Sequence, residues 1–213
     1  MKYDKVMMET AHLWAKESYC ERRQVGCVIA KDGRIISIGY NGTISGTDNA
    51  CEKKCLSCDG IGFYPELQES CAICDGKGIV TNDLVMHAEQ NSLMFCAKNG
   101  ISTNGCTVYV TTSPCEHCSK LLASAGIVRV VYDNEYKKLG GVDMLKSIGV
   151  KVECVMRYNY KCKNEKCVSY DVVVSIEKPM NESSKIELCD TCNSVLVRQY
   201  SSPSIGTSDG FKK

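Results

Sequence analysis

His87-Ala88-Glu89-Gln90-Asn91-Ser92-Leu93-Met94-Phe95-Cys96-Ala97-Lys98, followed by Thr107-Val108-Tyr109-Val110 and then Pro114-Cys115-Glu116-His117-Cys118, decides how this chain is read. The first stretch carries Ala88, Asn91, Leu93, Met94 and Phe95 in a helical pattern that stops at Asn99-Gly100. The second is a β-rich run, and Cys115 to Ser124 returns to helix. Downstream the alternation continues: Ile127 to Tyr132 as strand, Asp143 to Ile148 as helix, Val150 to Met156 as strand. Upstream, residues 3–19 place Val6, Met7, Ala11, Leu13 and Trp14 at near-helical spacing. Gln24 to Ala30 and Arg34 to Tyr40 flank Asp32-Gly33, a strong hairpin signal. Strands alternating with helices after an opening hairpin predict an α/β protein, a mixed sheet covered by helices.

The same stretch carries chemistry. His87, Cys115 and Cys118 supply one imidazole and two thiols, and three protein ligands leave a tetrahedral zinc one open position. Glu89 is a nearby carboxylate able to move the protons of a water there. Cys115 and Cys118, three apart, share a helix face and can chelate together, with helix N-terminal dipoles favouring their thiolates. Glu89, two residues from His87, is expected to point about 200° away from it. Pro114 suits a helix start, and His117 reads as exposed or as supporting the ligands. A surface histidine beside a structural Cys-x-x-Cys pair is the plain alternative, but it leaves the three-ligand count and Glu89 unexplained.

Composition bounds the partners. The 213 residues allow one ordinary domain plus something small, and 44% hydrophobic with 24% charged residues describe a chain able to bury a core. With 26 basic and 25 acidic residues the net charge is +1, which argues against a strongly electrostatic polynucleotide binder and suits a small-molecule enzyme. No apolar run approaches the roughly 18 residues of a membrane span. The N-terminus leads into an amphipathic pattern rather than a signal sequence, so a cytoplasmic location is expected, in the host if the source is viral. In that compartment the sixteen cysteines, many in Cys-x-x-Cys pairs, read as zinc sites rather than disulfides.

His87-x-Glu89 followed by Pro114-Cys115-x-x-Cys118 resembles the signature of zinc-dependent nucleobase deaminases. Ser18 to Ile29, with Gln24-Val25-Gly26-Cys27, and Lys31 to Thr43, with Gly39-Tyr40-Asn41-Gly42-Thr43, are similar to the deoxycytidylate (dCMP) deaminases of the cytidine/deoxycytidylate deaminase family. The late-competence and bacteriophage branches look nearest. Tyr109 to Cys115 and Ala125-Gly126-Ile127 extend the likeness over most of residues 1–156. The resemblance implies a three-layer α-β-α fold with a mixed five-stranded sheet. It implies hydrolytic deamination of dCMP to dUMP and ammonia, supplying dUMP for thymidylate synthesis, with catalytic zinc on His87, Cys115 and Cys118 and Glu89 as the proton carrier. It also implies a substrate contact at Asn41, which reads equally as a turn asparagine before Gly42. Arg22 and Arg23 are candidates for the 5′-phosphate, since guanidinium matches phosphate oxygens bidentately, with solvated surface arginines as the alternative, and Tyr136 reads either as bordering the nucleotide or as a surface tyrosine. Many members are hexamers governed by dCTP and dTTP. Two alternatives share the motif: a tRNA or single-stranded DNA deaminase, opposed by neutral charge and by only three Phe and one Trp, and a zinc-dependent binding module with a vestigial core, opposed by the intact catalytic set.

The remaining cysteines form two further groups. Cys55-x-x-Cys58-x-Gly60-x-Gly62 is repeated as Cys71-x-x-Cys74-x-Gly76-x-Gly78, and resembles the zinc hairpin of J-domain chaperones. Four thiolates make a closed, structural zinc site. Cys162, Cys167, Cys189 and Cys192 resemble a short zinc ribbon, with a wider first gap than usual, suited to partner contact. One catalytic and two structural zinc ions are therefore expected. The organisation predicted is a deaminase domain over 1–156 with the hairpin inserted at 51–81, a ribbon-like module over 157–201 and a tail over 202–213. Cys27, Cys96, Cys106 and Cys154 read as buried thiols, and Cys20 and Cys51 as auxiliary ligand candidates.

Overall fold

The computed structural model describes residues 2–136, 140–179 and 185–199. These fall into two compact units, divided between Cys154 and Val155.

In the first unit helix α1 (Asp4–Ala15) leads to strands β1 (Gly26–Lys31) and β2 (Arg34–Tyr40). Asp32 and Gly33 join them with φ of 50° and 76°, the left-handed backbone that a tight hairpin turn needs. After β3 (Gly42–Thr43) comes the cysteine-rich segment, with β4 (Glu52–Lys54), β5 (Phe63–Tyr64), β6 (Glu69–Ser70) and β7 (Ile79–Thr81). The chain then forms β8 (Val85–Met86), which pairs with β3, then α2 (Ala88–Lys98), β9 (Thr107–Val110), α3 (Glu116–Ser124), β10 (Arg129–Tyr132), α4 (Gly140–Ser147) and β11 (Lys151–Cys162). The sheet order is β2-β1-β9-β10-β11, with β11 contributing Lys151–Cys154. Strand β1 runs antiparallel to β2 and β9, whereas β9, β10 and β11 are parallel, as helical crossovers allow. Helices cover both faces, so β10 is buried throughout and β1 up to Lys31.

Strand alternation assigns the faces. Cys27, Ile29, Val108, Val110, Val130 and Tyr132 pack with Leu93 of α2, Leu122 of α3 and Val142 and Leu145 of α4. The alternate residues meet α1. A Cβ at Gly26 would lie 1.9 Å from the Ala11 carbonyl oxygen, so the helix rests directly on the strand. On that face Tyr109 Oη donates to Asp4 at 2.7 Å, and the Arg129 guanidinium bridges Asp4, at 2.9 and 2.7 Å, to Glu153. Burial opposes ionisation of Asp4, but the bonds from Arg129 and Tyr109 outweigh it and hold the carboxyl far below its usual range. The result is the expected three-layer α-β-α arrangement around a mixed five-stranded sheet. Helix α1 is shorter than the predicted 3–19. It buries Met7, Met8, Ala11 and Ala15, while Val6 and Leu13, steps of about 100° off that face, are exposed.

In the second unit β11 runs on past Met156 to Cys162 and pairs antiparallel with β12 (Val173–Pro179) and β13 (Leu196–Gln199). Tyr160, Cys162, Cys167, Cys189 and Leu196 form its small core. The predicted tail, 202–213, lies outside the described residues. Among the described residues no helix is long and apolar enough to cross a membrane.

Candidate active site

Two helix starts supply the ligands. His87 is the N-cap of α2, with φ −72° and ψ 156°, and Cys115 is the N-cap of α3, with φ −72° and ψ 169°. Pro114 thus precedes the cap rather than opening the helix. The His87 backbone N–H donates to Gln90 Oε1 at 2.8 Å, which fixes the turn from which the imidazole projects. His87 Nδ1 lies 3.6 Å from Cys115 Sγ and 3.3 Å from Cys118 Sγ, and the three donor atoms are all within 4.8 Å of one another. Zinc–sulfur bonds near 2.3 Å and a zinc–nitrogen bond near 2.05 Å, set tetrahedrally, separate sulfur from nitrogen by about 3.6 Å. The donor set fits zinc.

The three donors are coupled through their mutual hydrogen bonds. Hydrogen bonds from Cys118 and His87 pull the Cys115 thiol down to about 3, while the bond to Cys115, and then burial, push Cys118 far up. The same contact with Cys115 raises His87.

Glu89 is 4% exposed and lines the same cavity as His87 and Cys115. The predicted divergence of Glu89 from His87 does not occur. The 200° relation holds between two helical residues, and His87, in extended backbone, lies outside α2. Burial raises the Glu89 carboxyl above its usual value. His117, between the two cysteines, is exposed.

The cavity holds about 130 Å³ and brings the sequence-predicted residues together. Arg22, Arg23, Asn41 and Tyr136 all line it. The Asn41 amide is anchored: Oδ1 accepts from Val25 N at 2.7 Å and Nδ2 donates to Arg23 O at 2.8 Å, leaving one lone pair and one N–H over. Arg23 stacks on Tyr136, 5.5 Å from its ring centre, and Arg22 Nη1 donates to Thr81 Oγ1 at 3.0 Å. Sequence reasoning missed Glu52, Thr81, Val85, Thr112 and Ser113, which also line the cavity. Glu52 and Thr81 stand at the two ends of the cysteine-rich segment 51–81, the one signal in the sequence that points to them. Cys20 lines the cavity, and Cys51 is buried, with burial and then the Cys20 contact raising its thiol to about 12.

Two further clusters are closed. Cys55 and Cys71 sulfurs lie 3.9 Å apart, Cys58 and Cys74 3.7 Å, against about 3.8 Å for two thiolates on one tetrahedral zinc. The two halves repeat each other's bonds: Gly62 N–H donates to Cys58 Sγ and Gly78 N–H to Cys74 Sγ, each at 3.2 Å. Both glycines have positive φ, 80° and 72°, which lets the amide turn onto the sulfur. In the second unit Cys162 and Cys192 lie 3.7 Å apart and Cys167 and Cys189 3.8 Å. None of the sixteen cysteines forms a disulfide.

An open three-ligand metal set with a buried carboxylate, on helix N-termini over a mixed sheet, defines a nucleobase deaminase of the zinc type. The family pattern described as "Cytidine and deoxycytidylate deaminase zinc-binding region" matches residues 1–134. The deoxycytidylate deaminase of Enterobacteria phage T4 is 34% identical over 176 residues, covering 72% of this chain and 90% of that one. ComE operon protein 2 of Bacillus subtilis is 33% identical over 156 residues, 73% of this chain and 72% of that one. The crystal structure of dCMP deaminase from cyanophage S-TIM5 in complex with dCMP and dUMP is 35% identical, with a TM-score of 0.56 over 72% of this chain and 96% of that one. The chain belongs to the cytidine and deoxycytidylate deaminase family.

Proposed function

We propose that this protein hydrolyses dCMP to dUMP and ammonia, as a cytoplasmic enzyme supplying dUMP for thymidylate synthesis. The observation that carries the reading is one cavity lined by His87, Cys115, the buried Glu89 and the guanidinium-bearing Arg22 and Arg23. Zinc, held by His87 Nδ1, Cys115 Sγ and Cys118 Sγ, supplies Lewis acidity when bound. Glu89 takes a proton from the water that attacks C4 of the cytosine ring. It returns protons to ring N3 and to the amine that departs as ammonia. Its burial keeps solvent from competing for those protons. The cationic side chains of Arg22 and Arg23 match a 5′-phosphate, Arg23 braced by Tyr136, and the unused N–H and lone pair of Asn41 suit the sugar or base edge.

Residues 1–156 form the deaminase domain, with 51–81 as an inserted hairpin closed by zinc on Cys55, Cys58, Cys71 and Cys74. Residues 157–201 form a ribbon-like module closed by zinc on Cys162, Cys167, Cys189 and Cys192. Both four-sulfur spacings support this count, three zinc ions per chain. A homo-oligomer, hexameric by family likeness and responsive to dCTP and dTTP, completes the reading. The test is ammonia release from dCMP beside dCTP, cytidine and a cytosine-bearing oligonucleotide. Preference for dCMP is expected, and equal or better turnover of the oligonucleotide would overturn the assignment.

A further inference from the structure

The inserted hairpin meets the cavity at a single rung. Strands β4 and β7 pair antiparallel with Glu52 directly opposite Thr81, and both residues line the cavity. Each holds Arg22 from a different side. The Glu52 Oε1 atom accepts the backbone N–H groups of Glu21 and Arg22, both at 3.1 Å. Thr81 Oγ1 accepts Nη1 of the Arg22 guanidinium at 3.0 Å. Arg22 is an exposed residue in a stretch without helix or strand, between Ala15 and Gly26. A long side chain in such a place loses conformational entropy when it is fixed. The two contacts hold its backbone and its charged end before any ligand arrives.

We propose that the Glu52–Thr81 rung is a positioning device, by which the cysteine hairpin aims Arg22 at the nucleotide phosphate. The idea rests on the reading of Arg22 as a phosphate contact. The hairpin thereby acquires a part in substrate selection: it sets how strongly the enzyme prefers a nucleotide to its nucleoside. Glu52 and Thr81 do not touch the reacting atoms and act through Arg22, so the device bears on affinity and leaves the chemical step alone. Thr81 uses its hydroxyl and Glu52 its acceptor oxygen, so removing each group and then restoring it in a conservative variant isolates its contribution.

The experiment measures equilibrium binding of dUMP and of deoxyuridine to the zinc-loaded enzyme by calorimetry, with kcat and KM for dCMP alongside. Thr81→Val is expected to weaken dUMP about tenfold, the scale of one hydrogen bond to a charged group, to leave deoxyuridine unchanged, and to raise KM with kcat retained. Thr81→Ser, which keeps the hydroxyl, restores dUMP binding. Glu52→Ala weakens dUMP in the same selective way, and Glu52→Gln, which keeps an acceptor oxygen, rescues it. Arg22→Ala is the control, with an expected loss of about a hundredfold for dUMP alone. If Arg22→Ala loses dUMP while Thr81→Val and Glu52→Ala bind it like the wild type, the rung is not a positioning device and the phosphate reading stands. Equal weakening of dUMP and deoxyuridine in the rung variants marks general damage and also overturns the proposal. If Arg22→Ala binds dUMP normally, the phosphate reading itself fails and the rung proposal goes with it.

Discussion

The cluster at His87, Cys115 and Cys118 and the four-cysteine cluster of the hairpin use the same donor chemistry to opposite ends. The first stands on helices α2 and α3, whose places are fixed by the main core, and His87 is exposed beside a cavity. The second is its own core: Cys55, Cys58, Cys71 and Cys74 are all buried, with the partly buried Tyr64 and Val80 packed against them. An apolar core preorganises the one, whereas the other, on the reading proposed above, depends for its fold on the ion it would hold. A metal site is therefore catalytic or structural according to what holds its ligands when the metal is gone, as much as by ligand count.

The largest expected effect tests the open cluster. Glu89→Gln should lower kcat for dCMP by about 10²- to 10⁴-fold, the range for a general acid–base group, with zinc content and melting temperature unchanged. Full activity in that variant would remove Glu89 from the mechanism. A second experiment sets the clusters against each other. Dialysis against a chelator, followed by metal analysis and assay in the same samples, should strip the exposed three-ligand site first. Activity would then disappear while about two zinc ions per chain remain. Activity that outlasts the loss of those two ions would reverse the comparison.

Substitutions in the ligands sharpen it further. Cys115→Ser should abolish activity yet leave the fold cooperative, whereas Cys58→Ser should expose the amides of residues 51–81 to hydrogen exchange while the sheet stays protected. The smallest effect lies away from both clusters, at Asp4. Its carboxyl titrates below its unfolded value of about 3.9. The stability it contributes is therefore present above that pH and is lost as pH falls below it toward the folded value. Asp4→Asn should cost about 1–3 kcal/mol near pH 7 and flatten the acid limb. Urea melts at neutral pH and near pH 3.5 would read both.

The grouping of His87 with Cys115 and Cys118, and of each cysteine quartet, was legible because its information is local: a Cys-x-x-Cys knuckle or a helix start is set by neighbours in the chain. The sheet was legible for the same reason, through alternation and the Asp32-Gly33 turn. What escaped was non-local. Glu52 and Thr81 matter because a ladder places them opposite each other and against Arg22, and no periodicity records that. The orientation of Glu89 was misjudged because helical geometry was applied one residue too early, at His87. Strand β11 was cut short at Met156 because the residues that extend it, in β12 and β13, lie far along the sequence.

The opposition of Glu52 and Thr81 also bears on how the hairpin is joined to the rest of the chain. In an antiparallel ladder such partners have α-carbons about 5 Å apart, a gap that a two-residue turn can close. The insertion therefore enters and leaves the domain almost at one point. A longer segment held there costs little more to close than a shorter one, because loop-closure entropy rises only slowly with length. A lineage could exchange a short turn for a metal-bound hairpin there, or the reverse, without moving a strand of the sheet.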